Sequence, residues 1–356
     1  MDFLAPLLYN NPSIKAGFAL TQTKRKILMS QFPPSPNGPQ TVYFGQRGYL
    51  QMLADILEYG CDVPDRTGVG RRKLFMRQLR FDMRDGFPLP TYRSAPPRIG
   101  LEEFWLFLSG NPYLHTELAK KGITIWEGNT TREFLDNRGL TFLPEGHGGK
   151  SYSFQMRHFN GEYDENYMPT GGTDQVARIF NTLRDNPFDS RIILSLWNPA
   201  QEDEMALPPC WYGHQFLVTL DKDGNKLLNL TVNARSADTL FGTPFNVTQY
   251  AAYLCAMAEV QGMIAGELVC NLTDAHLYGK PEDLQRPAEE CRKESQFHFT
   301  KEMLEREFSE EPVTLKFAKP LKTFEDFLSL TAEDFIFENY HPNLSKFKTK
   351  RPQMAV

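Results

Sequence analysis

The tightest constraint on this chain is a cysteine set between two strands. Residues 192–196 are apolar and rich in β-branched side chains, which predicts a buried strand. Asn198-Pro199 ends it. Pro208-Pro209 then fixes two φ angles immediately before Cys210. Residues 215–220 predict a second strand, closed by Asp223-Gly224. A cysteine held this way can serve as a nucleophile. The alternative is a buried structural thiol, because free cysteine is among the most buried residue types. The local sequence leaves both readings open.

Bulk properties narrow the classes. A chain of 356 residues allows one large domain or two ordinary ones, and 41% apolar content can build a sizeable core. The formal charge of -5 argues against non-specific nucleic-acid binding as the main task. No apolar run is long enough to span a membrane. Met1-Asp2-Phe3-Leu4-Ala5-Pro6 lacks the basic flank of a signal peptide. Five cysteines (Cys61, Cys210, Cys255, Cys270, Cys291) form no CxxC pair, which suits free thiols in a reducing cytoplasm. The histidines show no metal-ligand spacing with them, so no metal is expected.

Residues 1–40 read as an extension, with Pro33-Pro34-Ser35-Pro36-Asn37-Gly38-Pro39 as a linker by composition. Residues 50–57 carry apolar side chains at helical spacing. Residues 73–76 and 79–81 read as strand, and residues 100–109 as an apolar helix closed by Gly110. A short helix is expected over 176–183, strands over 227–236 and 269–272, a long helix over 247–261, a polar helix over 279–300, and strands over 313–317 and 335–337.

Several short patterns suggest chemistry. Asp65-Arg66-Thr67-Gly68-Val69-Gly70 makes a tight loop whose arginine could fork onto a phosphate, or it is a plain hairpin turn. In Glu102-Glu103 one carboxylate is expected to line a cavity, where burial raises its pKa; alternatively both support the helix dipole. Arg235-Ser236 ends a strand and also suits a phosphate. Asn246 is placed to cap the helix at 247, and its amide offers the donor and acceptor that the O4/N3–H edge of uracil requires. His276 and Tyr278 fall on one face of an extended segment and could bind a sugar hydroxyl or form a buried pair. No GxxxxGK[ST] occurs, so a P-loop is not invoked.

In this order the segments resemble the thymidylate synthase family, which includes the deoxypyrimidylate hydroxymethylases. The resemblance is carried by the 65–70 loop, Glu102-Glu103, residues 123–126, Gln155 and Arg157, and Arg191-Ile192-Ile193 through Trp197-Asn198-Pro199. Met205-Ala206-Leu207-Pro208-Pro209-Cys210, Arg235-Ser236-Ala237-Asp238, Phe241-Gly242-Thr243-Pro244-Phe245-Asn246, Asp274-Ala275-His276-Leu277-Tyr278 and the closing Met354-Ala355-Val356 complete it. It covers roughly residues 45–356, so residues 41–356 are expected to form one catalytic domain.

The resemblance implies an α/β (α+β) fold with a mixed sheet and surrounding helices, the sheets packed back to back in a homodimer. It implies 5,10-methylenetetrahydrofolate as co-substrate and dUMP as substrate, with no membrane and no nucleic acid needed. Cys210 would add to C6 of the pyrimidine, with Tyr152 and Glu103 handling protons. Arg66, Arg235 and Ser236 would hold the phosphate, with Arg191 reaching across from the partner subunit. Asn246 would read the base, His276 and Tyr278 the sugar, and Gln215 and Gly242 would also line the substrate. Trp126, Asp238, Leu207, Phe245 and Val356 would contact the folate. Nearby arginines are expected to lower the Cys210 pKa. The family's cytosine-specific members carry aspartate where Asn246 stands, which favours dUMP over dCMP.

Departures from the family pattern bear on the product. Trp211 replaces the usual histidine after the nucleophile, and Gly149-Lys150-Ser151-Tyr152-Ser153 replaces Gly-Pro-Val-Tyr-Gly. Met156 stands for Trp, Ser190 for an arginine and Ala234 for Gln. Polar Lys150, Ser151 and Ser153 favour water near the reacting carbon, whereas Trp126, Leu207 and Val356 favour its exclusion. On balance the sequence predicts water capture, giving 5-hydroxymethyl-dUMP, with hydride transfer giving dTMP as the alternative. A second alternative is a silent nucleotide- or RNA-binding regulator, which would not need an intact Cys210.

Overall fold

The computed structural model describes residues 32–353. The chain runs β1 (Val42–Phe44), α1 (Gly45–Tyr59), β2 (Cys61–Val63), β3 (Arg71–Asp82), α2 (Pro97–Ser109), α3 (Leu114–Ala119), α4 (Arg132–Asn137) and α5 (Tyr152–His158). Then come the hairpin β4 (Glu162–Tyr163) and β5 (Pro169–Thr170), α6 (Gln175–Asp185), β6 (Ile193–Ser195), β7 (Trp211–Leu220), β8 (Lys226–Ala234) and β9 (Ala237–Asp238). α7 (Gly242–Val260), β10 (Ile264–Tyr278), α8 (Phe297–Leu304), β11 (Thr314–Phe317), α9 (Phe324–Leu328) and β12 (Phe335–Glu338) complete it.

One mixed sheet organises the fold, in the order β1-β3-β10-β8-β7-β6, with β2 joined to β3 and β9 to β10. β10 is its axis, antiparallel to β3 and parallel to β8. Strand alternation splits the sheet into two faces. Leu79, Phe81, Phe216, Leu230, Val232, Leu268, Cys270 and Leu272 face inward and are buried. Helix α7 packs over them and is apolar nearly all round, as a helix sunk in a core must be. The outer face carries Gln78, Arg80, Thr231, Asn233, Glu267 and Asn271. An amide row crosses it, Gln78 Nε2 to Asn271 Oδ1 at 2.8 Å and Asn271 Nδ2 to Asn233 Oδ1 at 3.0 Å.

Several elements differ from the sequence reading. Residues 279–300 are not one helix: two short 3-10 turns (Pro281–Leu284, Ala288–Glu290) lead into α8. Pro281 and Pro287 break the intervening backbone hydrogen-bonding. β3 is continuous across the expected gap, with a positive φ of 51° at Met76. The 33–40 segment is docked and is not a free linker. The buried Asp55 carboxylate accepts from Ser35 N, Ser35 Oγ, Gln40 N and Tyr43 Oη. The Gly110 cap holds as expected, at φ 80°. Residues 1–31 and the terminal Met354-Ala355-Val356, including Val356, lie outside the described residues. Among the described residues no helix is long and apolar enough to cross a membrane.

Candidate active site

Cys210 sits at the mouth of β7, where the loop from β6 turns into the sheet. Pro208-Pro209 stiffens that loop, and Arg235 clamps it. The guanidinium donates from Nε to Pro209 O at 2.9 Å and from Nη2 to Pro208 O at 3.0 Å. Arg235 N also donates to Cys210 O at 2.8 Å. The Cys210 amide in turn donates to the Tyr152 hydroxyl at 2.8 Å. Tyr152 opens α5, so the loop 147–151 decides where its hydroxyl stands.

That loop is anchored by its own unusual residues. Lys150 is 1% exposed, and its ammonium pairs with Glu162 at 2.8 Å and Glu204 at 3.0 Å. It lies 5.6 Å from the Phe154 ring centre and 5.4 Å from that of Tyr163. Ser151 Oγ donates to Leu207 O at 2.7 Å. A side chain on Gly149 would meet Glu204 O at 2.3 Å, so only glycine permits this approach to the cysteine loop. Ser153 is buried as well.

Behind Tyr152 lies an aromatic wall. Phe107 stacks on it with centroids 4.8 Å apart, and Trp126 meets both rings edge-on. Trp126 Nε1 donates to Glu103 Oε1 at 2.6 Å, and Gln249 Nε2 to Glu103 Oε2 at 2.5 Å. Burial raises the Glu103 pKa; the two donors pull the other way. Glu103 is the seventh residue of α2, well past the first turn, so the helix-dipole alternative does not apply. Glu102 diverges from it and pairs with Lys121.

At the Cys210 thiol the expected lowering of the pKa by a nearby arginine is present but outweighed. Burial pushes its pKa up, and the Arg235 charge and the Tyr152 hydroxyl only partly oppose this. Arg235 is not a free phosphate fork either, since two of its N–H groups hold the prolyl carbonyls. Asn246 does not cap α7, which begins at Gly242; it stands in the second turn, with Nδ2 donating to Gln249 Oε1 at 3.0 Å.

The remaining expected residues are distributed as follows. Asp238 Oδ1 accepts from Leu240 N at 3.0 Å and Phe241 N at 3.1 Å, and its Oδ2 from Gln296 Nε2 at 3.0 Å. A carboxylate has about four acceptor positions, so roughly one is left for a ligand donor. His276 is buried against Tyr278 with ring centres 5.0 Å apart, and its Nε2 has no partner among the described residues. Arg66 is exposed in a loop that Asp65 preforms through Thr67 N and Gly70 N. The Arg191 side chain is 81% exposed and pairs with Asp189 at 2.8 Å. Ser236, Leu207 and Phe245 are half-buried. Gln215 lies on the outer face, opposite His214 and Phe216, and holds Ser190 O at 2.9 Å. It is therefore not among the side chains gathered around Cys210.

Sequence reasoning missed Gln249. The available signal was a polar residue three after Asn246, hence on the same face of an otherwise apolar helix. Among the described residues no cluster of three or more His, Cys, Asp or Glu could hold a metal ion.

A family model described as thymidylate synthase matches residues 47–352. The chain is 39% identical over 306 residues to the thymidylate synthase of Saccharomyces cerevisiae, covering 83% of this chain and 93% of that protein. It is 35% identical over 314 residues to that of Homo sapiens, covering 88% and 91%. It is also 37% identical over 331 residues to a probable thymidylate synthase of Schizosaccharomyces pombe, covering 90% of this chain but only 50% of that longer protein.

Proposed function

The chain belongs to the thymidylate synthase family, and we propose that it converts dUMP to dTMP. 5,10-Methylenetetrahydrofolate supplies the methylene carbon and a hydride, and leaves as dihydrofolate. The Cys210 thiolate adds to C6 of the uracil ring, which moves an electron pair to C5 and charge onto O4. Asn246 holds the O4/N3–H edge, and Glu103 exchanges protons with O4 through water. C5 takes the methylene carbon, its proton leaves toward water held at the Tyr152 hydroxyl, and the bond from the methylene to the folate nitrogen breaks, leaving an exocyclic methylene. Hydride from the released tetrahydrofolate then adds to that carbon, giving the methyl group and dihydrofolate. Expulsion of Cys210 from C6 restores the ring. Arg66, Ser236, Arg191 of a second copy and the Arg235 N–H groups that the prolyl carbonyls leave over hold the phosphate. His276 and Tyr278 bind the sugar, and Trp126, Asp238, Leu207 and Phe245 flank the folate.

The observation that carries the choice of product is Lys150. The sequence predicted that this residue and its serine neighbours would bring water to the reacting carbon. Instead its ammonium is enclosed by Glu162, Glu204 and two rings, and Ser151 is spent on Leu207 O. The polar groups of Lys150 and Ser151 are satisfied internally, Ser153 is buried, and the wall behind Tyr152 is aromatic. With Lys150 and Ser151 engaged and the packing behind Tyr152 aromatic, neither residue supplies a free polar group to recruit water to the exocyclic carbon, which favours hydride transfer and dTMP over the hydroxymethylated product.

The outer sheet face is the surface for a second copy. Phe44 (65% exposed), Ile193 (53%) and Leu217 (43%) alternate there with buried Tyr43, Leu194 and Phe216. The test is tritium release from [5-³H]dUMP with methylenetetrahydrofolate, reading dihydrofolate absorbance in parallel. Equal amounts of tritium and dihydrofolate are expected; tritium without dihydrofolate would refute the dTMP product.

A further inference from the structure

The proposed chemistry leaves one buried polar side chain of the pocket without a role. Gln249 is 2% exposed and bonds on both sides of its amide. Nε2 donates to Glu103 Oε2 at 2.5 Å and to Gly100 O at 3.1 Å, while Oε1 accepts from Asn246 Nδ2 at 3.0 Å.

The polarity of this chain of bonds is forced. A backbone carbonyl can only accept, so Gly100 O requires Nε2 at every pH. With Nε2 there, Oε1 faces Asn246. An oxygen facing Asn246 demands a donor, and the only donor in that side chain is Nδ2. Oδ1 of Asn246 is thereby left over. Protonating Glu103 removes one acceptor but leaves the Gly100 anchor, so the order survives. Oδ1 lies toward Gly242, 3.6 Å from where a Cβ on that glycine would stand, and the missing side chain keeps it approachable.

Uracil presents a carbonyl at C4 and a donor at N3; cytosine presents an amino group and a lone pair. One asparagine orientation serves the first and the flipped orientation the second. We propose that Gln249 is a specificity-determining positioning residue, locking the Asn246 amide in the orientation that reads uracil while steadying Glu103. The inference rests on Asn246 as the base reader in the proposed function. A polar site that cannot reorient leaves a mismatched pyrimidine with unpaired groups, which is where strong discrimination arises.

Two substitutions test it. Gln249→Met keeps length and removes both polar atoms. Gln249→Lys keeps donors toward Gly100 and Glu103, which supports folding, but offers Asn246 no acceptor and so favours the flipped amide. The measurement is kcat/KM for tritium release from [5-³H]dUMP and [5-³H]dCMP. The ratio of the two is expected to fall about tenfold or more in either variant, and further in Gln249→Lys. An equal loss on both substrates, or an unchanged ratio, in Gln249→Lys overturns the lock; a purely structural glutamine gives that result. Asn246→Asp in the same assay separates the two levels of argument. If it leaves the preference for dUMP intact, Asn246 is not the reader and the underlying reading fails. If it shifts preference toward dCMP while the Gln249 variants do not, the lock alone fails.

Discussion

Around Cys210 the side chains bond to one another, whereas the arginines that would meet a phosphate are held apart or engaged elsewhere. Cys210, Tyr152, Trp126, Glu103, Gln249 and Asn246 belong to one bonded and stacked assembly, its aromatic side and Gln249 buried and Cys210, Glu103 and Asn246 half-buried. Arg66 is exposed and makes no ion pair among the described residues, and Arg191 leans on Asp189 in full solvent. Arg235 joins the two regions because it already holds the prolyl carbonyls beside the cysteine. The contrast shows where preorganisation resides. In the proposed reaction, the groups that would handle the reacting atoms are bonded to one another before substrate arrives. The groups that would hold a doubly charged anion stay solvated until such an anion offsets their desolvation.

Four substitutions break or sharpen this contrast. The largest effect is expected from Cys210→Ser, which should lower tritium release by on the order of 10⁴-fold or more, since nothing else in the assembly can add to C6. Any activity close to wild type would remove the nucleophile from the wired half. Tyr152→Phe keeps the stacking on Phe107 but deletes the acceptor for the Cys210 amide and the hydroxyl near C5. A drop in kcat of roughly 10²–10³-fold is expected, with little change in KM. Arg191→Ala belongs to the open half and should do the reverse. KM for dUMP should rise about tenfold, from one lost charge-assisted contact, with kcat nearly unchanged. If Arg191→Ala damages kcat more than KM, the division into halves is wrong.

The smallest effect concerns the residue that belongs to both. Burial holds the Cys210 thiol above its ordinary range, and the Arg235 charge opposes that rise. Thiolate is the reactive form, so kcat/KM should climb with pH on an alkaline limb set by this group. Arg235→Gln removes the positive charge, raises the pKa further and moves the limb to higher pH. A limb that stays in place would show that Arg235 acts through its prolyl bonds alone.

Much of the sheet was legible from the chain because strand and helix periods are local. The closure of α2 at Gly110, the strand after Cys210 and the apolar α7 all follow from spacing and from a residue able to take positive φ. What was not legible depends on partners distant in sequence. Lys150 reads as a polar insertion until Glu204, 54 residues on, supplies its counter-charge. Asp55 reads as one more helix carboxylate until Ser35 and Tyr43 converge on it. Glu103 could be suspected of burial, but its two donors come from different elements. Arg235 does lower the Cys210 pKa as expected, but burial outweighs it, because arginines are visible in a sequence and desolvation is not.

The hydrogen bond from the Cys210 amide to the Tyr152 hydroxyl has a mechanical meaning. One oxygen locates the backbone that carries the sulfur and, in the proposed reaction, stands where a proton would pass. Errors in the two positions are therefore correlated: a shift of α5 by a few tenths of an ångström carries the Cys210 backbone and the Tyr152 hydroxyl together. The site behaves as a single rigid tool with few independent adjustments. Sequence drift that moved only one of the two would have to give up that bond.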